Sequence, residues 1–162
     1  MNEQKKIAVL GGGSWATAIV KMLSENLETI GWYMRSEQAI EHIKENEHNP
    51  NYLRSAELNA QQLDLSSNIN STVDNYDVLI FVIPSAFLTS ELNKLNSSLE
   101  GKIIFSAMKL CGKGVSDIEN CTLLLNFFIF IKNLSGFSIC PVTPPLDDIE
   151  NAKNSSTKVF LF

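Results

Sequence analysis

At 162 residues the chain has the length of one domain, and a core of that size can stabilise itself. A hydrophobic fraction of 44% and a charged fraction of 19% exclude a disordered or fibrous protein. The net charge of -5 excludes nonspecific nucleic-acid binding, which needs a basic face to displace counterions. It does not exclude a phosphorylated ligand, because a helix N-terminus and a few cations can bind phosphate on an acidic protein.

The N-terminal residues, the longest apolar stretch and the cysteines bear on the cellular location of the protein. Residues 1–6 are polar and leave no room for a secretory apolar region, so we expect a cytoplasmic protein. The longest apolar stretch, residues 123–131, is well short of the roughly 20 residues of a transmembrane helix, so no membrane span is expected. The cysteines lack CxxC spacing, which favours reduced thiols and no metal site.

Strand and helix signals alternate from the start of the chain. Residues 6–10 are an apolar run that ends in glycines, which is typical of a buried parallel strand. Apolar residues then recur with the spacing of one helical face, and the helix is predicted to end near Asn26. These residues are Ala16, Ile19, Val20 and Leu23. A second strand is predicted over residues 29–34, and a second helix over residues 37–47, which the turn at residues 49–51 ends.

The middle of the chain continues this alternation. Residues 52–72 predict only short strands and loops, whereas the unbroken apolar run 78–83, stopped by Pro84, is the strongest strand signal of the chain. Residues 85–96 predict a helix with its leucines on one side, and residues 102–107 the next strand. This rhythm predicts an α/β fold of the Rossmann type, with a doubly wound, mainly parallel sheet covered on both faces.

Residues 120–162 differ from the rest in composition. Their apolar residues follow no clean period, and the prolines at 141, 144 and 145 exclude a central strand there. We therefore predict one Rossmann-type domain over residues 1–119, a divergent tail with no assignable domain over 120–162, and a sheet that is incomplete at the C-terminus. The exposed apolar side chains of residues 123–130 would need a partner surface, which predicts a homo-oligomer.

The glycines after the first strand carry the clearest chemical signal. Gly11 and Gly13 followed by Ala16 form the pattern G-x-G-x-x-A. The first glycine permits a tight turn, the second lets the backbone approach a pyrophosphate, and the small third residue lets the helix pack close to the strand. Because the pattern follows a strand and opens an amphipathic helix, it favours dinucleotide binding over a plain glycine-rich turn.

The end of the second strand bears on the choice of cofactor. An acid about 20 residues past the glycines would bind the ribose 2′-hydroxyl of NAD, and an arginine there accommodates the 2′-phosphate of NADP. This chain has Met34-Arg35-Ser36 at that point, and the next acid along the chain is Glu37. The sequence therefore favours NADP, with NAD tolerated; the alternative is that Arg35 is only a solvated surface residue.

Five short segments occur in a characteristic order along the chain: IAVLGGGSWATA (residues 7–18), WYMR (32–35), NPNYL (49–53), VIPS (82–85) and SAMK (106–109). This ordered set resembles the N-terminal domain of bacterial NAD(P)-dependent glycerol-3-phosphate dehydrogenase. The Gly-Ser-Trp-x-Thr-Ala run is much more specific than the glycine pattern alone. The resemblance covers about two-thirds of the chain.

The resemblance implies dinucleotide contacts beyond the glycine loop. It places Ser14 and Trp15 at the phosphates, Arg35 at the adenosine ribose and Tyr52 near the cofactor. Alternatives remain for two of these residues: Trp15 as a core aromatic and Tyr52 as a packing residue.

Three further residues are assigned by the same resemblance. Pro84 and Ser85 would lie over the nicotinamide half, although Ser85 would also serve as a helix N-cap. Lys109 matches the family's lysine, which contacts both the cofactor and the phosphorylated substrate. The family has glycine directly after that lysine, and here a Lys-Gly pair occurs only at Lys113, so Lys113 is the alternative.

The resemblance ends near residue 125. The family's Gly-Pro-x-His-Ala-Glu segment, its catalytic base and its all-helical substrate domain cannot be assigned, so we expect no catalytic residue in this chain and suspect a fragment. The resemblance implies the cofactor-binding part of an oxidoreductase that interconverts sn-glycerol 3-phosphate and dihydroxyacetone phosphate for glycerophospholipid synthesis. The alternatives are a stand-alone or vestigial dinucleotide-binding module without catalysis and, less favoured by the Gly-Ser-Trp and Tyr-Leu motifs, a hydroxyacid-type dehydrogenase.

Overall fold

A computed structural model describes residues 5–107, 138–139 and 158–161 of the chain. In chain order the elements are β1 (Ile7–Leu10), α1 (Ser14–Ser24), β2 (Ile30–Tyr33), α2 (Glu37–Asn46), a 3-10 turn (Ala60–Gln62), β3 (Leu63–Ser66), α3 (Ile69–Asn75), β4 (Val78–Phe81), α4 (Ser85–Leu92), β5 (Ile103–Ser106), β6 (Ser138–Ile139) and β7 (Lys158–Leu161).

The strands form one sheet in the order β3-β2-β1-β4-β5-β7-β6, and every neighbouring pair is parallel. From β1 the chain winds outward through β2 and β3 on one side, then returns to add β4 and β5 on the other. The predicted Rossmann-type α/β fold is therefore confirmed, and its strand order reverses between β1 and β4. Two of the strands, β6 and β7, come from the tail for which the sequence predicted no domain.

Apolar side chains on the two faces of the sheet form two separate cores. Successive residues of β1 point to opposite faces, so Ala8 and Leu10 join one core while Val9 joins the other. Residues of α3 and α4 complete the first core, and residues of α1 and α2 complete the second. The helices therefore cover both faces, as the alternating pattern predicted.

Helix α3 was missed by the sequence analysis, which predicted only short strands and loops before residue 72. The helix has seven residues, and its buried apolar side chains are only Ile69 and Val73, too few to reveal a helical period. Asn68 starts it, because its side-chain oxygen accepts hydrogen bonds from the backbone N–H groups of Asn70 and Ser71. The local cap, rather than a long apolar stripe, defines this helix.

Some predictions concern residues that the described ranges do not include. Lys109, Lys113 and the apolar residues 123–130 on which the predicted self-association rests lie outside the described residues. Of the helices in the described part of the chain, none has both the length and the apolar character that crossing a membrane would require.

Gly31 allows the Tyr76 ring to pack directly on the sheet. A Cβ at Gly31 would lie 2.5 Å from Cζ of Tyr76 and 2.8 Å from Cβ of Ala8. The ring is also fixed at its far end, because the Tyr76 hydroxyl donates a 2.8 Å hydrogen bond to Asp64. Burial and the neighbouring Asp64 carboxylate raise the pKa of Tyr76, so the hydroxyl remains a donor.

We expect Gly31→Ala to lower the free energy of unfolding by about 1–3 kcal/mol, because the new methyl group must displace either a buried ring or the neighbouring strand. Urea denaturation of the unliganded protein measures this. Gly13→Ala is the matched control, since a Cβ at Gly13 would meet no atom within 4 Å. Equal losses for the two variants would show that Tyr76 has room to move.

Candidate functional site

A cleft of about 360 Å³ opens at the carboxyl ends of β1, β2 and β4, where the strand order reverses. Its lining residues come from the glycine loop, the end of β2, the loop after α2 and the start of α4. They are Gly11, Gly12, Gly13, Tyr33, Met34, Arg35, Ser36, Ala39, Asn49, Asn51, Tyr52, Ile83, Pro84, Phe87 and Glu91. Ligands of open parallel sheets bind at this kind of crevice.

Gly11 makes the tight turn between β1 and α1. Its φ of 138° lies in a region that residues with a Cβ rarely adopt, and an added Cβ would lie 2.6 Å from the carbonyl oxygen of Val82. The indole Nε1 of Trp32 donates a buried 2.7 Å hydrogen bond to the Gly11 carbonyl oxygen. The backbone N–H of Gly11 donates to the Tyr33 carbonyl at 3.0 Å. This residue therefore connects β1, β2 and the end of β4.

Gly13 leaves space in front of the N-terminus of α1. It occupies the N-cap position without a side-chain cap, no acid lies in the first turn of α1, and a Cβ at Gly13 would meet no protein atom within 4 Å. The first backbone N–H groups of a helix lack intrahelical acceptors and lie at the positive end of the helix dipole. The arrangement suits an anionic group such as a pyrophosphate, which an added side chain at Gly13 would obstruct.

Asn49 fastens the glycine loop to the segment that carries Tyr52. Its side chain is 1% exposed, and its Nδ2 donates to the Gly12 carbonyl at 3.3 Å and to Oγ1 of Thr17 at 2.9 Å. Its Oδ1 accepts from the backbone N–H groups of Asn51 at 3.0 Å and Tyr52 at 3.2 Å. One buried amide thus sets the distance between two walls of the cleft.

Arg35 lies at the other end of the cleft, directly after β2. The Cζ atom of its guanidinium stands 4.3 Å from the centroid of the Phe87 ring on α4, and its side chain is 49% exposed. Its Nη1 is 3.9 Å from Oε1 of Glu91, a carboxylate that is only 1% exposed. Stacking on an aromatic ring keeps the planar group at the cleft wall while its edge N–H donors stay available.

Tyr33 connects the bottom of the cleft to the same carboxylate. Its hydroxyl donates a hydrogen bond to Oε2 of Glu91. Burial, with the Glu91 carboxylate beside it, raises the pKa of Tyr33, so the hydroxyl stays protonated and keeps donating.

The predicted site residues fall into three groups. Five of them line the cleft: Gly11, Gly13, Arg35, Tyr52 and Pro84. Ser14, Trp15 and Ala16 form the first turn of α1 beside it, and Ser85 begins α4. Lys109 lies outside the described residues.

The exposed fractions of three of these residues bear on their predicted roles. Trp15 is 55% exposed, so the alternative that it is a core aromatic is wrong. Tyr52 is 45% exposed and is not a core residue. Ala16 is fully buried, as the close approach of α1 to the sheet requires.

The sequence analysis did not identify Asn49, Phe87 and Glu91 as parts of the site. Asn49 was noted as a helix breaker and within a family motif, but no local pattern assigns a donor to a carbonyl 37 residues away. Glu91 gave a weak signal, as an acid next to the leucine side of the predicted helix. Phe87 gave none.

We expect Asn49→Ala to lower the free energy of unfolding by about 2–4 kcal/mol, because it removes the four hydrogen bonds of a buried amide, one of them the buried bond to Oγ1 of Thr17. It should also speed proteolysis of the segment around residues 50–56. Urea denaturation and limited proteolysis measure these effects. Asn75→Ala removes a single exposed hydrogen bond to the Ser71 carbonyl and should change stability by less than about 0.5 kcal/mol. Similar results for both variants would contradict the role given to Asn49.

Known proteins resemble this chain in both sequence and fold. Residues 6–129 match the family described as the NAD-dependent glycerol-3-phosphate dehydrogenase N-terminus. The chain is 33% identical over 109 residues to glycerol-3-phosphate dehydrogenase [NAD(P)+] of Pseudomonas fluorescens, an alignment that covers 67% of this chain and 32% of that protein. The chain thus spans about a third of the length of the curated relatives it matches.

Solved structures show the same fold at lower sequence identity. Glycerol-3-phosphate dehydrogenase from Saccharomyces cerevisiae superposes with a TM-score of 0.62 at 19% identity, over 98% of this chain and 57% of that one. The enzyme from Coxiella burnetii gives a TM-score of 0.60 at 15% identity, over 98% of this chain and 54% of that one. The match over residues 6–129 decides the family: the chain belongs to the dinucleotide-binding N-terminal domains of the NAD-dependent glycerol-3-phosphate dehydrogenases.

Proposed function

We propose that the chain is the cofactor-binding part of an oxidoreductase that interconverts sn-glycerol 3-phosphate and dihydroxyacetone phosphate with NADPH or NADH. The observation that carries this proposal is the open space at Gly13, in front of an uncapped helix N-terminus inside a cleft at the reversal of the strand order. Family membership supports the reaction, which we transfer from relatives about three times as long as the matched region.

The pyrophosphate of the cofactor would lie against the first turn of α1. Gly13, Ser14, Trp15 and Ala16 would supply backbone N–H groups there, and the Asn49 hydrogen bonds keep the preceding loop in place. Tyr52, exposed at the rim, would cover the bound dinucleotide. In this proposal backbone N–H groups bind the pyrophosphate, and the Asn49 side chain only positions that backbone.

The adenosine end favours NADP in this proposal. The segment after β2 runs Met34-Arg35-Ser36, and Ser36 caps α2 by accepting a hydrogen bond from the Ala39 backbone N–H. The segment therefore presents a guanidinium and no acid where an NAD-specific site holds the ribose hydroxyls. A guanidinium stacked on Phe87 can give its edge donors to a 2′-phosphate.

The nicotinamide end is assigned to Pro84, Ser85 and Lys109. Pro84 lines the cleft beyond the end of β4, and Ser85 follows it as the first residue of α4. Lys109 would contact both the cofactor and the substrate phosphate. The bound nicotinamide supplies the hydride chemistry, while the alcohol proton needs an acid/base group that we assign to no residue of this chain. We further propose a cytoplasmic location and self-association, both inferred from the sequence.

A second candidate is a dinucleotide-binding module without catalysis. It requires only the cleft that the described residues form, and we assign no acid/base group to any residue of this chain. Both candidates share the cleft and differ in whether a substrate is turned over.

We expect Arg35→Ala to weaken NADPH binding by about 10- to 150-fold, or about 1.5–3 kcal/mol, and to leave NADH binding nearly unchanged. The reason is the loss of a charge-assisted bond to the 2′-phosphate. Isothermal titration calorimetry with both nucleotides measures the effect. Arg54→Ala is the control: this arginine donates to the Pro50 carbonyl and should leave the NADPH to NADH ratio unchanged. Equal losses for the two nucleotides in Arg35→Ala would overturn the preference for NADP.

Gly13→Val should weaken NADPH and NADH alike by at least about 10-fold, because the new side chain fills the space assigned to the pyrophosphate. Its thermal stability should stay close to that of the wild type, since a Cβ at this position meets no protein atom within 4 Å. Binding that survives this substitution would remove the main support for the proposed site.

We expect the 162-residue chain by itself to show no oxidation of NADPH dependent on dihydroxyacetone phosphate, because proximity without an acid/base group does not complete the reaction. Absorbance at the NADPH band, with a full-length relative as positive control, measures this. Measurable turnover by the purified chain would reject the module without catalysis and show that the chain itself holds the missing group.

A further inference from the structure

Glu91 is a buried carboxylate in the wall of the cleft. Its side chain is 1% exposed, although it lies on α4 within reach of the cleft lining. Three groups surround it: the Tyr33 hydroxyl, which donates to Oε2, and two cations, Lys94 and Arg35, which both face Oε1. Burying an acid is costly unless partners satisfy it, so each of these contacts has an energetic consequence.

The two cations lie at unequal distances from one oxygen atom. The Nζ of Lys94 lies 2.8 Å from Oε1 and donates a hydrogen bond to it, whereas Nη1 of Arg35 stays 3.9 Å away, beyond hydrogen-bond distance. Arg35 instead rests on the Phe87 ring at 4.3 Å. Lys94 thus makes the direct pair and offsets the charge on Oε1, which weakens the attraction of that oxygen for Arg35.

We propose that Glu91 and Lys94 together determine how strongly the cleft selects a phosphorylated ribose over an unphosphorylated one. Lys94 holds Oε1 and leaves the donors of Arg35 free for a 2′-phosphate, while the Glu91 carboxylate offsets part of the Arg35 charge. The inference rests on the proposed role of Arg35 and adds the residues that set its strength. Glu91 and Lys94 are positioning residues, because they act through Arg35.

The two substitutions have opposite consequences. Without the Lys94 ammonium, Oε1 should attract the Arg35 guanidinium more strongly across the 3.9 Å gap, so that fewer of its N–H donors face a 2′-phosphate. Without the Glu91 charge, Arg35 keeps its full positive charge and attracts the 2′-phosphate more strongly. NADH carries no phosphate at that position, so neither change should affect it much.

Lys94→Met is the first test. The Lys94 side chain is 55% exposed, but its ammonium pairs with the buried Glu91 carboxylate, so thermal unfolding is measured beside binding to show that the variant folds. We expect NADPH to bind about 3- to 10-fold more weakly and NADH to change less than about 2-fold, measured by calorimetry at low salt. Lys21→Met is the matched control. Lys21 pairs with Glu25 on the surface of α1 at 2.9 Å, and neither residue lines the cleft. Lys21 is 43% exposed, comparable with Lys94, and its loss should leave the ratio of NADPH to NADH affinity unchanged.

Glu91→Gln is the second test. It should raise the affinity for NADPH relative to NADH, with NADPH binding about 3- to 10-fold more tightly. In the Arg35→Ala background both shifts should fall below about 2-fold, since the residue through which they act is gone. A purely structural role would weaken NADPH and NADH equally, and that result would overturn the inference.

The outcomes also separate this inference from the proposed function. If Arg35→Ala lowers NADPH selectively but Lys94→Met leaves the ratio unchanged, the inference alone is wrong. If the wild-type chain binds neither nucleotide, the proposed function and this inference both fail.

Discussion

The site depends on the close approach of Gly11 to the end of β4. No side chain fits between this residue and the Val82 carbonyl, and the Trp32 indole holds the Gly11 carbonyl from the neighbouring strand. Because of this contact, α1 begins where the strand order reverses between β1 and β4, and its first N–H groups face the cleft. The direction of the helix, the opening of the cleft and the free space at Gly13 all follow from one backbone contact.

Buried polar side chains then set the walls of the cleft. The Asn49 amide links the glycine loop, through its Nδ2, to the segment of Tyr52, through its Oδ1. On the opposite side of the cleft, the Glu91 carboxylate contacts the Tyr33 hydroxyl and the cations of Lys94 and Arg35. Such groups favour one arrangement because any other leaves a buried donor or acceptor without a partner. The cleft therefore has a defined width before any ligand arrives.

Local electrostatics explain how an acidic chain can suit an anionic ligand. The net charge of the chain is -5, yet the cleft joins the positive end of α1 with the Arg35 guanidinium. Screening limits the effect of distant surface carboxylates, whereas groups at the cleft act at short range. The one acid in the cleft lining, among the residues described, is Glu91, and Lys94 and Tyr33 already bind its oxygens.

The sequence by itself determined the features that depend on neighbouring residues: the buried strands, the faces of α1 and α2, the glycine turn and the position of Arg35 after β2. Only the tertiary structure decided which residues from separate elements meet. Tyr33 and Glu91 are 58 residues apart and touch because Tyr33, at the end of β2, and α4 share the core on one face of the sheet. Hydrophobic period and turn chemistry are local signals, but a hydrogen bond between distant side chains depends on strand order and register, which no short window of sequence contains.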